Sequence, residues 1–125
     1  NKLYGYGLLN VLPVSLVHNV PNMGYKLHFR DGKVFYATDT NNLNGIRAYH
    51  YDLYLVEANY EDDVIQQKIA EKKAAGEYAY EVQVLHNHLS KAKCDNWLYA
   101  NMAPSSTYVY LHCHEDKPER KEEQE

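Results

Sequence analysis

Cysteine is nearly absent from this sequence: Cys94 and Cys113 are the two in 125 residues, and they form no C-x-x-C. That excludes a dense disulfide framework and suits reduced thiols inside a cell. Long hydrophobic runs are missing too. No apolar stretch approaches the roughly 20 residues that span a bilayer, and no signal peptide is visible. A cytoplasmic location is expected and a membrane role is not. Basic charge has no surplus, since 13 Lys and Arg stand against 17 Asp and Glu, a net charge of −4. Nucleic-acid binders usually carry a basic stripe, so a generic polyanion-binding surface is disfavoured, while a local basic groove stays open. There is no internal repeat. The chain also opens on Asn1 rather than Met, directly in strand-like sequence, which leads to the expectation of a fragment whose upstream part is missing.

What is there belongs to a globular domain. Apolar residues make up 45% and charged residues 24%, enough for one core-bearing domain over residues 1–114. Residues 115–125 are charged and apolar-free, the composition of a solvated tail. The 13 Tyr fall largely in strand-like runs, where a ring packs half-buried and its hydroxyl reaches water.

The order of elements is legible in outline. Val11 to His18 reads as a strand, with Pro13 pointing to an edge or bulge. Tyr25 to Phe29 is a second strand, and Asp31-Gly32 a hairpin turn into Lys33 to Thr38. The continuous apolar run Leu53 to Val56 suits a strand buried on both faces. Glu61, Asp62 and Asp63 favour a helix start; the helix runs to about Ala75 with Val64, Ile65 and Ile69 inward, and Gly76 stops it. Glu77 to Leu85 reads as extended. Ser90 caps a second helix to about Met102, with Ala92, Trp97 and Leu98 facing in. Tyr108 to His112 is the last strand. Strands alternating with helices after residue 50, behind an antiparallel hairpin, indicate α/β layering.

Four islands set an acid or imidazole at the end of an apolar run: Val17-His18-Asn19, Tyr36-Ala37-Thr38-Asp39-Thr40, His88-Leu89-Ser90 and Tyr110-Leu111-His112. A strand ending in His or Asp aims a ligand rigidly at one sheet edge. Several such ends converging would make a metal site, because imidazole and carboxylate are usual ligands of zinc. His18, Asp39 and His112 are therefore expected to cluster.

The order and context of these islands resemble the C-terminal half of the metallo-β-lactamase superfamily, in its ribonuclease Z-like and related nuclease branch. The likeness runs from about Val11 to Glu115. It rests on His18 ahead of Gly24-Tyr25, on the Ala37-Thr38-Asp39-Thr40 run, on Asp52 to Ala58 as an Asp-apolar-apolar-x-Glu-Ala segment, and on His88-Leu89-Ser90. The fold it implies is half of an αββα sandwich, a mixed sheet with two helices on one face. The activity it implies is metal-dependent hydrolysis by an activated hydroxide, of a phosphodiester in RNA or DNA, using two Zn2+ (or Mn2+ or Fe2+). By the same resemblance His18 is a ligand of the first metal, Asp39 bridges two metals, and His112 binds the second. Glu57 orients His88, which protonates the leaving oxygen. His86 rivals His88, and His114 rivals His112; the register of the apolar run favours His112.

The superfamily's H-x-H-x-D-H, which lies in its N-terminal half, is nowhere in these residues. Without it the ligands are too few to hold zinc tightly, so an empty or weakly filled site, and an inactive chain, are expected of this fragment alone. The expected partners are the N-terminal half of the same fold, a nucleic acid substrate, and a second copy through the exposed sheet face. The alternative is a non-catalytic, degenerate binding domain.

Overall fold

The computed structural model describes residues 4–6 and 9–113. His114 and the charged run 115–125 lie outside the described residues. Six strands form one sheet in sequence order: β1 (Tyr4–Tyr6), β2 (Leu9–Leu16), β3 (Asn22–Phe29), β4 (Gly32–Ala37), β5 (Leu53–Glu57) and β6 (Thr107–Leu111). β1 to β4 pair antiparallel. β5 runs parallel to β4, and β6 parallel to β5. The sheet is therefore mixed, as the reading of α/β layering behind a hairpin requires.

Strand chemistry explains the pairing. Pro13 lies in β2 past Val11, where the pairing with β1 stops, so its missing N–H breaks no ladder there. The hairpin between β3 and β4 turns on Arg30-Asp31, one residue earlier than expected, and Gly32 already pairs with Phe29. Asp52 accounts for the shift. Its carboxylate accepts from the Lys33 N–H at 2.8 Å and lies against Gly32, where a Cβ would sit 2.9 Å from Oδ2.

Alternation gives the sheet two unlike faces. Val14, Leu16, Phe35, Ala37, Tyr54 and Val56 point to one face and are buried with Leu43, Ala48 and Tyr51 of the loop between β4 and β5. Cys94 and Leu98 of α3 (Lys91–Asn101) complete this core. The opposite face carries Val11, Leu27, Val34, Leu53 and Leu55, all half-buried, with Phe29 and Val109 about half exposed at 47% and 51%. No residue of a described helix shares a buried cluster with it. This is a half-sandwich.

Three helices are described where two were expected. α1 (Asp62–Ala74) begins with Asp62 and Asp63 in its first turn and buries Ile65 and Ile69. It ends in the expected way: Gly76, at φ +69°, follows the cap, and the Glu77 N–H donates to the Lys72 carbonyl at 2.8 Å, the closing bond of a Schellman motif. α3 is capped by Ser90, whose side chain accepts from the Lys93 N–H. Its inner positions are Cys94 and Leu98; Ala92, expected inside, is exposed.

The additional helix is α2 (Glu81–Asn87), in the segment read as extended. Val82 and Val84 look like a period of two, but with Leu85 they pack against a cluster of Tyr60, Ile65, Ile69 and Ala79. Val82 and Leu85 are three apart and share a helical face. An ion pair between Lys72 and Glu81 at 2.6 Å fastens α1 to α2. No helix among the described residues is long and apolar enough to cross a membrane.

Gly24 sits where β2 and β4 close on β3, and a Cβ there would lie 2.7 Å from the Tyr36 backbone oxygen. We expect Gly24→Ala to cost about 1–3 kcal/mol by overpacking, read as a lowered denaturant midpoint. Glu81 titrates below the ordinary carboxylate range: burial pushes it up, but the Lys72 hydrogen bond and neighbouring cations outweigh that. A carboxyl with a lowered folded-state pKa contributes stability above its unfolded value and loses it as pH falls through the folded one. Acid melts of the protein should therefore steepen below the usual carboxylate range, and Lys72→Met should flatten that dependence.

Candidate metal centre

The parallel trio β4, β5 and β6 brings three carboxyl ends to one sheet edge. Ala37, Val56 and Tyr110 lie level across these strands. Asp39, Glu57 and His112 follow two, one and two residues later, so their side chains meet at that edge. His88 arrives from the other direction, as the residue after α2. Its segment is pinned beside the continuation of β5: the Asn59 N–H donates to the Leu89 carbonyl and the Lys91 N–H to the Tyr60 carbonyl, both at 2.8 Å. Asp39, Glu57, His88 and His112 each offer one ligand atom, and all four atoms lie within 4.8 Å of one another.

Glu57 is the floor of this cluster and is fully buried. Its Oε1 faces His88 Nδ1 at 2.6 Å and His112 Nδ1 at 3.1 Å. Its Oε2 accepts from the Thr40 N–H at 3.1 Å and the Leu89 N–H at 3.3 Å. Asp39 and His112 form the exposed rim, with Asp39 Oδ1 3.0 Å from His112 Nδ1 and 3.8 Å from His88 Nδ1. Two carboxyl groups thus face the Nδ1 atoms of two imidazoles across one small space.

Backbone geometry marks the same residues. Among the described non-glycine residues, positive φ occurs at Asp39 (+55°), His50 (+57°) and His112 (+51°). Two of the three belong to the cluster. Such conformations concentrate where surrounding structure over-determines the backbone for a site.

His18 lies beside the cluster rather than within it. Its ring centroid is 5.8 Å from that of His88, which in turn is 4.9 Å from that of His112. His18 Nδ1 lies 3.1 Å from the Asn87 carbonyl; a carbonyl only accepts, so Nδ1 is the donor. His86 is exposed on α2 and is not in the cluster. Cys94 is no candidate, because burial pushes its thiol up to about 12.

Sequence reading passed over the residues that hold the cluster. Thr40 is fully buried; its hydroxyl accepts from the Val17 N–H at 3.0 Å and donates to the Asn42 carbonyl at 2.9 Å. Asn22 and Asn59 bind backbone beside it. The polar residue following Asp39 was the one available signal for Thr40.

Structural comparison places this architecture. The chain superposes on the metallo-β-lactamase fold protein YhfI from Bacillus subtilis with a TM-score of 0.64 and 13% identity, over 90% of this chain and 40% of that one. The chain has half of the metallo-β-lactamase fold. It also matches the short form of human tRNase Z (ELAC1), with a TM-score of 0.55 and 12% identity over 89% of this chain and 39% of that one. The chain thus spans about 40% of the length of these two structures, consistent with the C-terminal half of the fold. No family model matches the sequence, and no curated protein matches it.

The hydrogen bonding of Glu57 has a direct consequence for stability. Glu57→Ala would leave the buried Thr40 and Leu89 N–H groups without their acceptor, at about 1–3 kcal/mol for each. Asp39→Ala, on the exposed rim, should cost well under half as much. Urea unfolding of the two variants checks the order.

Proposed function

We propose that this chain is part of a binuclear metal-dependent hydrolase that cleaves phosphodiesters. The observation that carries the reading is the meeting of Asp39, Glu57, His88 and His112 at the carboxyl edge of three parallel strands. The donor set suits zinc, and serves manganese or iron as well. Asp39 offers two oxygens on the rim, the residue type that can serve two dications at once. His112 and His18 are the imidazole ligands in this reading. The Asn87 carbonyl fixes the His18 tautomer and leaves Nε2 for a metal, the usual backbone support of a ligating histidine. Bound ions would supply Lewis-acid activation of water and charge stabilisation at the phosphoryl group.

The remaining roles fall to this chain's own side chains. Glu57, with both oxygens engaged, orients His88 through Nδ1. Nε2 of His88 is then the atom from which a proton passes to the leaving oxygen. The nucleic acid substrate class is supported by likeness to the human tRNase Z structure. The apolar sheet face of Leu27, Val34 and Leu55 suits cover by the N-terminal half of the same fold, or by a second copy when that half is missing.

A competing reading, a binding domain that has lost catalysis, draws on the way the four side chains satisfy one another directly. Metal content and turnover separate the two. Joined to the N-terminal half of the fold, the protein should bind zinc and hydrolyse bis(p-nitrophenyl) phosphate or RNA, and Asp39→Ala and His112→Ala should lose metal. His88→Ala should keep its metal and slow turnover about 10²–10⁴-fold. Metal loss in His88→Ala would make that residue a ligand, and undisturbed turnover would return it to a structural cap. A folded protein that takes up no zinc even with the N-terminal half joined would decide for the binding domain.

A further inference from the structure

We propose that Asn22 and Asn59 are positioning residues that clamp the left-handed backbone at Asp39 and His112, and so set the affinity of the cluster for metal. The inference rests on reading the cluster as a metal centre. Both residues that leave their strands at positive φ to enter the cluster are gripped in the same way. Asn22 Nδ2 donates to the carbonyls of Thr38 and Asp39, each at 2.8 Å. Asn59 Nδ2 donates to the carbonyl of His112 at 2.9 Å.

Strand order explains why these positions do it. β3 pairs antiparallel with β4 in a register that, continued past Tyr25 and Tyr36, sets Asn22 opposite Asp39. Asn59 follows β5 by two residues, beside the end of β6, where the Ala58 N–H donates to the Leu111 carbonyl at 3.1 Å. Each clamp therefore comes from the neighbouring strand. A left-handed Asp or His persists only where the surroundings over-determine it. Without the amide, the backbone is free to relax to an extended conformation, and the side chain swings out of line with its partners. Asn59 is 7% exposed, so water reaches this bond from the His112 side alone.

The test is a zinc titration of the full-length, metal-free protein against a chromophoric chelator, alongside circular dichroism and thermal melts. Asn22→Ala and Asn59→Ala should each weaken zinc binding about 10–100-fold, the usual effect of removing support behind a ligand, while the fold is retained. Asn22→Ser and Asn59→Ser serve if an alanine variant does not fold, since the shorter hydroxyl keeps the site polar without reaching the carbonyl. Asn41→Ala is the control: its amide also caps two carbonyls, those of Leu85 and His86, but binds neither Asp39 nor His112. It should lower the melting temperature and leave zinc affinity within twofold. Folded Asn22 and Asn59 variants with unchanged affinity would overturn the inference, as would an equal loss in Asn41→Ala. An unsubstituted protein that binds no zinc would overturn the metal reading and this inference with it.

Discussion

Three separate stretches of chain are tied to the one carboxylate of Glu57. Thr40 N–H comes from the loop after β4, Leu89 N–H and His88 from the segment between α2 and α3, and His112 from the end of β6. A fully buried acid is tolerable only when its oxygens are saturated with donors. The sequence must therefore deliver those donors to one place, and the parallel register of β4, β5 and β6 is what does so. The cluster and the fold are in this sense one requirement: strands that failed to end together would strand a charge in the interior.

How much of this could be read from residues alone depended on whether local chemistry or distant packing decided the outcome. Ser90 as a cap and Gly76 as a stop were legible because each acts within one helical turn. The strand ends bearing Asp39 and His112 were legible from apolar runs that stop at a ligand-type side chain. α2 was not, because Val82 and Val84 alternate like a strand and the packing that makes them helical comes from α1, more than ten residues away. Asn22 and Asn59 were equally opaque. Asparagine is common in loops, and nothing local shows that its amide will reach the carbonyl of a residue 17 or 53 positions distant.

The two sheet faces show what a single chain can and cannot satisfy by itself. One face has loop, helix and strand side chains closed over Phe35 and Tyr54, both fully buried. The other is just as apolar along Leu27, Val34 and Leu55 and remains half open. Central strands that are hydrophobic on both faces belong to architectures covered on both sides. The run from Leu53 to Val56 carries that pattern, although a buried cluster with helical cover lies on one side of it.

The buried clusters divide the molecule into unequal parts. Glu57, Asp39 and His112 stand on the sheet, above the large core, whereas His88 is carried at the end of α2, which shares a small cluster of four buried residues with α1. Small clusters open more often than large ones, through local excursions that leave the rest of the structure intact. His88 joins the two parts: α2 precedes it, whereas Leu89 after it is buried in the large core and donates its N–H to Glu57. An opening confined to α1 and α2 would therefore stop short of Leu89, and the Glu57 carboxylate would keep its Thr40 and Leu89 donors.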